Sequence, residues 1–215
     1  MRSVRKIYHL RGTTGEEVLN EKKLPPSPLS LFDLWMREAI EEAADPTALT
    51  LATCDKNGKP SARIVLLKGY NADGFVFFTN YKSKKSMELM QSKSAAMVFY
   101  WPQIHKQVRI QGRVVKTSAA ESDTYFRSRP RESQLGAVVS EQSRVLASRE
   151  ALDNRYELLQ KKYEGKKIPR PAHWGGFRIV PDYIEFWLGR TSRLHDRIVY
   201  QKIKKNKWKK FRLFP

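Results

Sequence analysis

Short turns between strand-like segments constrain the fold of this chain more than any other feature of its sequence. The first three such segments lie at 48–54, 61–67 and 74–79, and turn-forming residues at 55–58 and 71–74 separate them. Connections this short join antiparallel neighbours, because a parallel pair of strands needs a crossover of roughly a dozen residues or more. The sequence therefore predicts a mainly β fold that begins as an antiparallel meander.

The remaining periodic segments extend this sheet and place helices around it. Further strands are predicted at 95–101, 107–116, 174–180 and 208–213. Helices are predicted at about 31–44, 83–92, 119–128 and 148–163, with Ser30, Ser83 and Ser118 as N-caps, and a short helix or a loop at 133–145. A closed or nearly closed antiparallel barrel with peripheral helices is expected, because closure removes exposed strand edges.

The stretch from Asp182 to Tyr200 is predicted to form a hairpin. Its halves, Tyr183–Leu188 and Arg193–Tyr200, are rich in aromatic and β-branched residues, and the residues between them favour a turn. Alternation along the second strand puts three basic side chains on one face: Arg193, His195 and Arg197. The spacing fits a solvated strand face equally well, whereas a buried face would need an anion to accompany these cations.

A formal net charge of +19 is the most unusual property of the composition. It fits a nucleic-acid-binding surface, a site for small phosphorylated anions, or a basic surface with no specific partner. Composition alone does not separate these alternatives. The sequence contains neither Gly-x-Gly-x-x-Gly nor a Walker-type loop, which disfavours a dinucleotide-binding fold.

A single cysteine, Cys54, excludes an internal disulfide framework and fits a reducing cytosol. The four histidines and this cysteine lack metal-ligand spacing, so no metal site is predicted. No apolar run reaches the roughly 20 residues that span a bilayer, and no secretory signal is recognised, so a cytoplasmic protein without a membrane partner is expected. Residues 1–29, with their Pro and Gly residues, are expected to form a mobile N-terminal arm, and residues 30–215 a single domain.

The start of the second helix carries Lys84 and Lys85, whose charges oppose the helix dipole. A bound anion would reverse that conflict, because the free N–H groups of a first helical turn favour negative charge. A solvated charged turn explains the same residues, and the local sequence leaves both interpretations open.

Several separated blocks of the sequence resemble pyridoxamine 5′-phosphate oxidases. Ile184-Glu185-Phe186-Trp187, followed by Arg193-Leu194-His195-Asp196-Arg197, is similar to the C-terminal signature of that family. Further similar blocks follow in the family's order: Arg63–Lys68, Phe78–Asn80, Ser83–Lys85, Gln107–Val108, Tyr125–Gln134 and Gln142–Ser143. Two positions depart from the pattern, because Lys84 stands where the family typically has Arg and Leu188 where it usually has a small or polar residue.

The resemblance implies an antiparallel FMN-binding split β-barrel and a homodimer with the flavin at the subunit interface. The implied FMN-binding residues are Arg63, Lys68, Phe78, Thr79, Ser83, Lys84, Lys85, Gln107, Gln142, Ser143, Trp187 and Arg197. The substrate would be a phosphorylated B6 vitamer, with Arg193 and His195 as catalytic residues that bracket its pyridine ring. The implied substrate-binding residues are Lys68, Tyr125, Arg129, Ser133, Arg193, His195, Arg5 and Tyr8.

The implied reaction oxidises pyridoxamine or pyridoxine 5′-phosphate to pyridoxal 5′-phosphate by hydride transfer from C4′ to flavin N5. Molecular oxygen (O2) would be the acceptor and would yield hydrogen peroxide. Two other functions stay open: a related flavin oxidase with a phenazine-type substrate, and a basic nucleic-acid-binding barrel. The oxidase interpretation expects no nucleic-acid partner.

One point of geometry bears on the implied site. Arg63 and Lys68 are five positions apart, so a straight strand would direct them to opposite faces. If both contact one site, Lys68 must lie past the end of the strand or beyond a bulge.

Overall fold

The computed structural model of the chain describes residues 17–204 and 207–215. Its α-helices within these residues are Pro28–Glu42 (α1), Lys84–Ser92 (α2), Ala119–Ser128 (α3), Arg131–Val139 (α4) and Arg149–Tyr163 (α5). Its strands are Ala48–Cys54 (β1), Pro60–Leu66 (β2), Gly69–Asn71 (β3), Gly74–Asn80 (β4), Ser94–Trp101 (β5), Lys106–Lys116 (β6), Trp174–Leu188 (β7), Asp196–Lys204 (β8) and Lys207–Leu213 (β9). The mainly β fold with peripheral helices is therefore confirmed.

The larger of two compact units comprises Thr47–Phe99 and Arg109–Tyr183. Its strands follow the order β2-β1-β5-β6-β7-β4-β3. β1 pairs antiparallel with β2 and β5, and β4 pairs antiparallel with β3 and β7. Apolar side chains that alternate along these strands form the core of the unit, among them Leu49, Leu51, Phe77, Met97, Ile110 and Phe177.

The smaller unit contains the described residues of 17–46, Tyr100–Val108 and Ile184–Pro215. β8 and β9 form an antiparallel hairpin in which Arg197 pairs with Leu213. Helix α1 contributes Phe32 and Trp35 to an aromatic core, and the Trp35 ring meets the Phe186 ring edge-on at 5.1 Å.

Most predicted elements are confirmed to within one residue, and β1 and α3 have the predicted bounds. Helix α1 is an exception, because it begins at Pro28 after Ser27 and is not capped by Ser30. Proline suits a first helical position, where its fixed φ helps and its missing N–H costs nothing. The three-residue strand β3 was not predicted, and 133–145 resolves into the end of α4 and a loop.

The prediction of a second hairpin strand over Arg193–Tyr200 is wrong at its start. Thr191–Arg193 form a 3₁₀ turn in which Ser192 and Arg193 have φ of 56° and 61°, and β8 begins only at Asp196. A left-handed backbone breaks the alternation of a strand, so Arg193 and His195 do not share a strand face with Arg197.

The predicted arm lies largely outside the described residues, and so do the predicted substrate contacts Arg5 and Tyr8. The described part, 17–29, is held by the hairpin of its own unit. The Leu19 N–H donates to Asp196 Oδ2 at 3.0 Å, and the Tyr200 hydroxyl donates to the Pro25 carbonyl at 2.7 Å. These residues are therefore fixed on β8. Among the described helices, none is long and apolar enough to cross a membrane.

Candidate active site

A cleft of about 440 Å³ opens in the larger unit between β2, β4, α3 and α4. It brings together eight residues that the sequence analysis assigns to cofactor or substrate: Lys68, Phe78, Thr79, Lys85, Tyr125, Arg129, Ser133 and Gln142. These residues span 75 positions of sequence, so only the fold makes them neighbours. Ile64, Leu66 and Trp174 supply apolar walls.

Lys68 reaches this cleft because it lies beyond the end of β2, which stops at Leu66. Its backbone N–H donates to the Val76 carbonyl at 2.8 Å, which fixes the turn into β3. Lys68 thus lies past the end of the strand, as predicted, but Arg63 does not line the cleft with it.

Lys85 is a buried cation at the floor of the cleft. Its Nζ donates to Gln142 Oε1 at 2.9 Å, to Thr79 Oγ1 at 3.2 Å and to Ser83 Oγ at 3.3 Å, and it forms no ion pair with a described carboxylate. Burial, together with the smaller effect of the nearby Arg63 charge, lowers the pKa of Lys85 to about 8. Neutral oxygens alone compensate a buried ammonium poorly, so this position favours an anion in the cleft.

The start of α2 surrounds Lys85 with further polar groups. Ser83 occupies the predicted N-cap position, but its hydroxyl contacts Ser86 Oγ at 3.0 Å and caps no backbone N–H. The Lys84 N–H donates instead to Ser143 Oγ at 3.2 Å. Ser143 therefore lies at the first turn of α2, where the predicted phosphate-binding residues also lie.

Arg63 lies on the β1–β2 pair and not among the residues that line the cleft. Its guanidinium donates to Ser61 Oγ at 2.6 Å and to Glu88 Oε2 at 3.4 Å. Burial raises the pKa of Glu88, but hydrogen bonds from Thr53 and Ser61 and the charges of Arg63 and Lys84 outweigh it, so the pKa is lowered and the carboxylate is ionised. The sequence analysis did not single out Glu88, because an acid among lysines on a short helix resembles a solvated face.

Arg129 occupies another part of the cleft, stacked on an aromatic layer. Its guanidinium carbon lies 4.7 Å from the centroid of the Trp174 ring, and its buried NH1 has no hydrogen-bond partner among the described residues. Burial lowers the pKa of Arg129, although the nearby Tyr125 raises it. The Phe78 ring stacks with Tyr125 at 4.1 Å and with Trp174 at 5.5 Å, and these two rings lie 6.0 Å from each other. Trp174 is a second site residue that sequence reasoning missed.

Glycine and proline set the positions of these groups. Phe78 pairs with Gly176 across β4 and β7, and a Cβ on that glycine would lie 2.8 Å from the Phe78 ring. Pro130 separates α3 from α4, so Ser133 lies in the first turn of α4 and lines the cleft with Arg129. Both features follow from backbone requirements that only these residue types meet easily.

The other predicted site residues lie in the smaller unit. His195 Nδ1 accepts a hydrogen bond from the Arg190 N–H at 3.0 Å, so in the neutral ring the proton is on Nε2. The His195 and Trp187 rings are 4.6 Å apart, and Arg193 is exposed on the 3₁₀ turn. Gln107 lies half-buried on β6.

Arg197 is oriented by a buried carboxylate. Its Nε donates to Glu185 Oε1 at 2.8 Å, and its NH1 donates to the Phe214 carbonyl at 3.1 Å. Glu185 is 1% exposed, so this pair fixes the guanidinium beside β7. Within the described residues, no group of three or more His, Cys, Asp or Glu side chains could hold a metal ion.

Comparison with known proteins gives matches over most of the chain. The family model described as pyridoxamine 5′-phosphate oxidase matches residues 36–163, and the model described as pyridoxine 5′-phosphate oxidase C-terminal dimerisation region matches residues 174–215. A pyridoxine/pyridoxamine 5′-phosphate oxidase from a Nostoc species is 50% identical over 212 residues, which cover 98% of this chain and 99% of the relative.

Two solved structures share the fold. PhzG from Burkholderia lata 383, in complex with tetrahydrophenazine-1-carboxylic acid, is 30% identical with a TM-score of 0.87, over 94% of this chain and 100% of that one. A pyridoxamine 5′-phosphate oxidase-related, FMN-binding protein from Nostoc punctiforme is 16% identical with a TM-score of 0.70, over 88% of this chain and 98% of that one. These neighbours confirm the predicted split-barrel fold.

Proposed function

The chain belongs to the pyridoxamine 5′-phosphate oxidase family, and from this premise we propose that its cleft binds FMN and a phosphorylated B6 vitamer side by side. The protein is an oxidoreductase with FMN as cofactor, and it converts pyridoxine or pyridoxamine 5′-phosphate to the aldehyde. The observation that carries the site assignment is a single cleft lined by a buried cation, Lys85, and a half-buried one, Arg129, neither of which forms an ion pair with a described carboxylate.

The residues around Lys85 fit the phosphate of FMN. Arg63, Lys84 and Lys85 supply positive charge near the start of α2, where the helix dipole also favours an anion. Hydroxyl and amide groups at Thr79, Gln142 and Ser143 lie around the same helix start and can hydrogen-bond the cofactor. The donor set therefore matches a phosphate group joined to a polar heterocycle.

The remaining cofactor contacts assigned from the family blocks come from residues of the smaller unit. Gln107, Trp187 and Arg197 would contact the flavin ring, and Arg197 is already oriented by Glu185. FMN, when bound, supplies the acceptor for the hydride that leaves the substrate. A homodimer would place the flavin between subunits, which the match of residues 174–215 to a dimerisation region supports.

The residues around Arg129 fit the phosphate of the vitamer. The buried NH1 of Arg129 has no partner within residues 17–204 and 207–215, and Lys68, Tyr125 and Ser133 line the same cleft. A guanidinium fork and a hydroxyl are the groups that recognise a phosphate monoester. Binding at this remote group would hold the substrate in register for reaction at its C4′ carbon.

Arg193 and His195 are the proposed catalytic residues. With Nδ1 occupied by the Arg190 N–H, His195 can present Nε2–H to the substrate and orient its ring. Molecular oxygen is the proposed final acceptor. The cytoplasm is the proposed location, and the free Cys54 fits a reducing compartment.

An absorption spectrum of the purified protein tests the proposal. We expect flavin bands near those of free FMN, their loss when pyridoxamine 5′-phosphate is added without oxygen, and their return on exposure to air. A colourless protein that neither binds added FMN nor forms an aldehyde would refute the proposed function.

The likeness to PhzG favours one other candidate, an FMN oxidase that acts on a phenazine precursor. Lower identity, 30% against 50%, makes it the weaker candidate. Turnover of a non-phosphorylated tricyclic carboxylic acid in preference to pyridoxamine 5′-phosphate would establish it.

A further inference from the structure

The cationic cluster at the start of α2 contains one buried carboxylate, that of Glu88, which is 3% exposed. Its two oxygens face two different basic residues. Oε2 accepts from Arg63 NH2 at 3.4 Å, and Oε1 lies 3.8 Å from Lys84 Nζ. Glu88 therefore lies between two of the residues assigned to the FMN phosphate.

Hydrogen bonds from two strands fix this carboxylate. Thr53 Oγ1 donates to Glu88 Oε2 at 2.5 Å, and Ser61 Oγ donates to the same oxygen at 2.7 Å. Thr53 and Ser61 are directly paired across β1 and β2. Arg63 is the next residue on the same face of β2 and also donates to Ser61 Oγ and to the Leu51 carbonyl. Glu88 thus connects α2 to the strand that carries Arg63.

Glu88 Oε1 is in a different situation, because it is buried and has no hydrogen-bond partner among the described residues. A buried carboxylate oxygen without a donor costs free energy, so this group is not explained by stability alone. The summed charge of Glu88 and the neighbouring cations indicates a role in anion binding. Arg63, Lys84 and Lys85 with Glu88 carry a net charge of about +2, which equals the charge that a phosphate monoester neutralises near pH 7.

We propose that Glu88 is a positioning residue of the FMN phosphate subsite, which fixes the Arg63 guanidinium and restrains Lys84 at the start of α2. The inference rests on the proposed function. Long basic side chains lose conformational freedom when they bind a ligand, and a fixed counter-ion removes part of that loss in advance. Glu88 contacts neither reacting atom, so its effect is on cofactor affinity.

The direction in which FMN affinity changes on substitution of Glu88 distinguishes a positioning role from a purely electrostatic effect. Removing an anion near a phosphate site would by electrostatics alone tighten phosphate binding. Loss of positioning would weaken it. Glu88→Gln removes the charge with little change of shape, and Glu88→Asp keeps the charge but withdraws the carboxylate by one methylene. Glu157→Gln, on the exposed face of α5, is the matched control.

The experiment measures the dissociation constants of FMN and of riboflavin, which lacks the phosphate, by quenching of flavin fluorescence on the full chain. We expect Glu88→Gln and Glu88→Asp to weaken FMN binding about tenfold, the effect of one lost charge-assisted hydrogen bond. Riboflavin binding should change less than about twofold, and Glu157→Gln should alter neither constant.

FMN affinity that is unchanged or tighter in Glu88→Gln would overturn the proposal, and so would equal weakening of both flavins. If both Glu88 variants fail to fold, as judged by circular dichroism, Ser61→Ala removes one of the same hydrogen bonds. Weakened binding of FMN alone in that variant supports the proposal, and unchanged binding overturns it. A wild-type protein that binds neither flavin would refute the proposed function instead.

Discussion

Replacing Arg129 by alanine tests the vitamer-phosphate part of the cleft most directly. The guanidinium stacks on Trp174 at 4.7 Å, and its buried NH1 has no hydrogen-bond partner among the described residues. Hydrogen bonds from such a group to a phosphate contribute about 2–3 kcal/mol, so the KM for pyridoxamine 5′-phosphate should rise about 30- to 150-fold. Because this binding is uniform between ground and transition states, kcat should fall less than about threefold.

The assay is the initial rate of aldehyde formation at saturating FMN, over a range of pyridoxamine 5′-phosphate concentrations. Arg127→Ala is the matched control, because Arg127 lies two residues earlier in the last turn of α3, is exposed and does not line the cleft. An unchanged KM in Arg129→Ala would refute the assignment of Arg129 to the phosphate. An equal rise in both variants would show that bulk charge and not this contact attracts the substrate.

Stability must be measured beside affinity, because Arg129 also packs on aromatic rings. Loss of the cation–π contact should lower the free energy of unfolding by about 0.5–2 kcal/mol, which urea denaturation can detect. Arg129→Lys keeps the charge and loses the planar fork, so its KM should lie between those of wild type and Arg129→Ala.

Three further predictions concern other parts of the structure. Trp174→Leu should raise the KM for pyridoxamine 5′-phosphate about tenfold, because only an aromatic ring supports the Arg129 guanidinium. Trp174→Phe should retain most of the affinity in the same assay. Equal effects of the two substitutions would contradict this prediction. The pKa of Lys85 is lowered to about 8, so the ammonium is lost as pH rises through that value, and FMN affinity should fall above about pH 8 by up to tenfold per unit. Lys85→Met should bind FMN more weakly with no such pH dependence in fluorescence titration. Asp196→Ala should lower the free energy of unfolding by about 2 kcal/mol, because it removes the ion pair with the partly exposed Arg212; an unchanged urea midpoint would contradict that prediction.

The sequence predicts the strands well wherever turn residues and alternation coincide. β1 and α3 have the predicted bounds because Asp55 and Gly58 end one element and the Ser118 capping box begins the other. The prediction fails at Ser192 and Arg193, where the loop adopts left-handed backbone conformations that no glycine signals. As a result, Arg193, His195 and Arg197 do not form the single basic strand face that the alternation of the sequence predicts.

The candidate site likewise contains some residues that the sequence predicts and others that it does not. Lys68 and Arg129 could be proposed as phosphate-binding residues from blocks of sequence, because their residue types and order match the family pattern. Glu88 and Trp174 could not, since a helix acid and a strand tryptophan have ordinary explanations until packing shows what they contact. Their importance depends on neighbours far apart in sequence, which no local pattern encodes.

Burial distinguishes the cations of this basic chain that are expected to bind an anion from those that are only solvated. A net charge of +19 shows that cations are in excess, but it does not show where an anion binds. Exposed lysines are solvated and need no partner, whereas a buried cation costs several kcal/mol unless an anion compensates it. Lys85 is buried among neutral oxygens, Arg129 is half-buried with its NH1 enclosed and its guanidinium stacked on Trp174, and both line one cleft. Two phosphates, one on the cofactor and one on the substrate, would offset both costs, so removing either cation should weaken the binding of one of these molecules and spare the other.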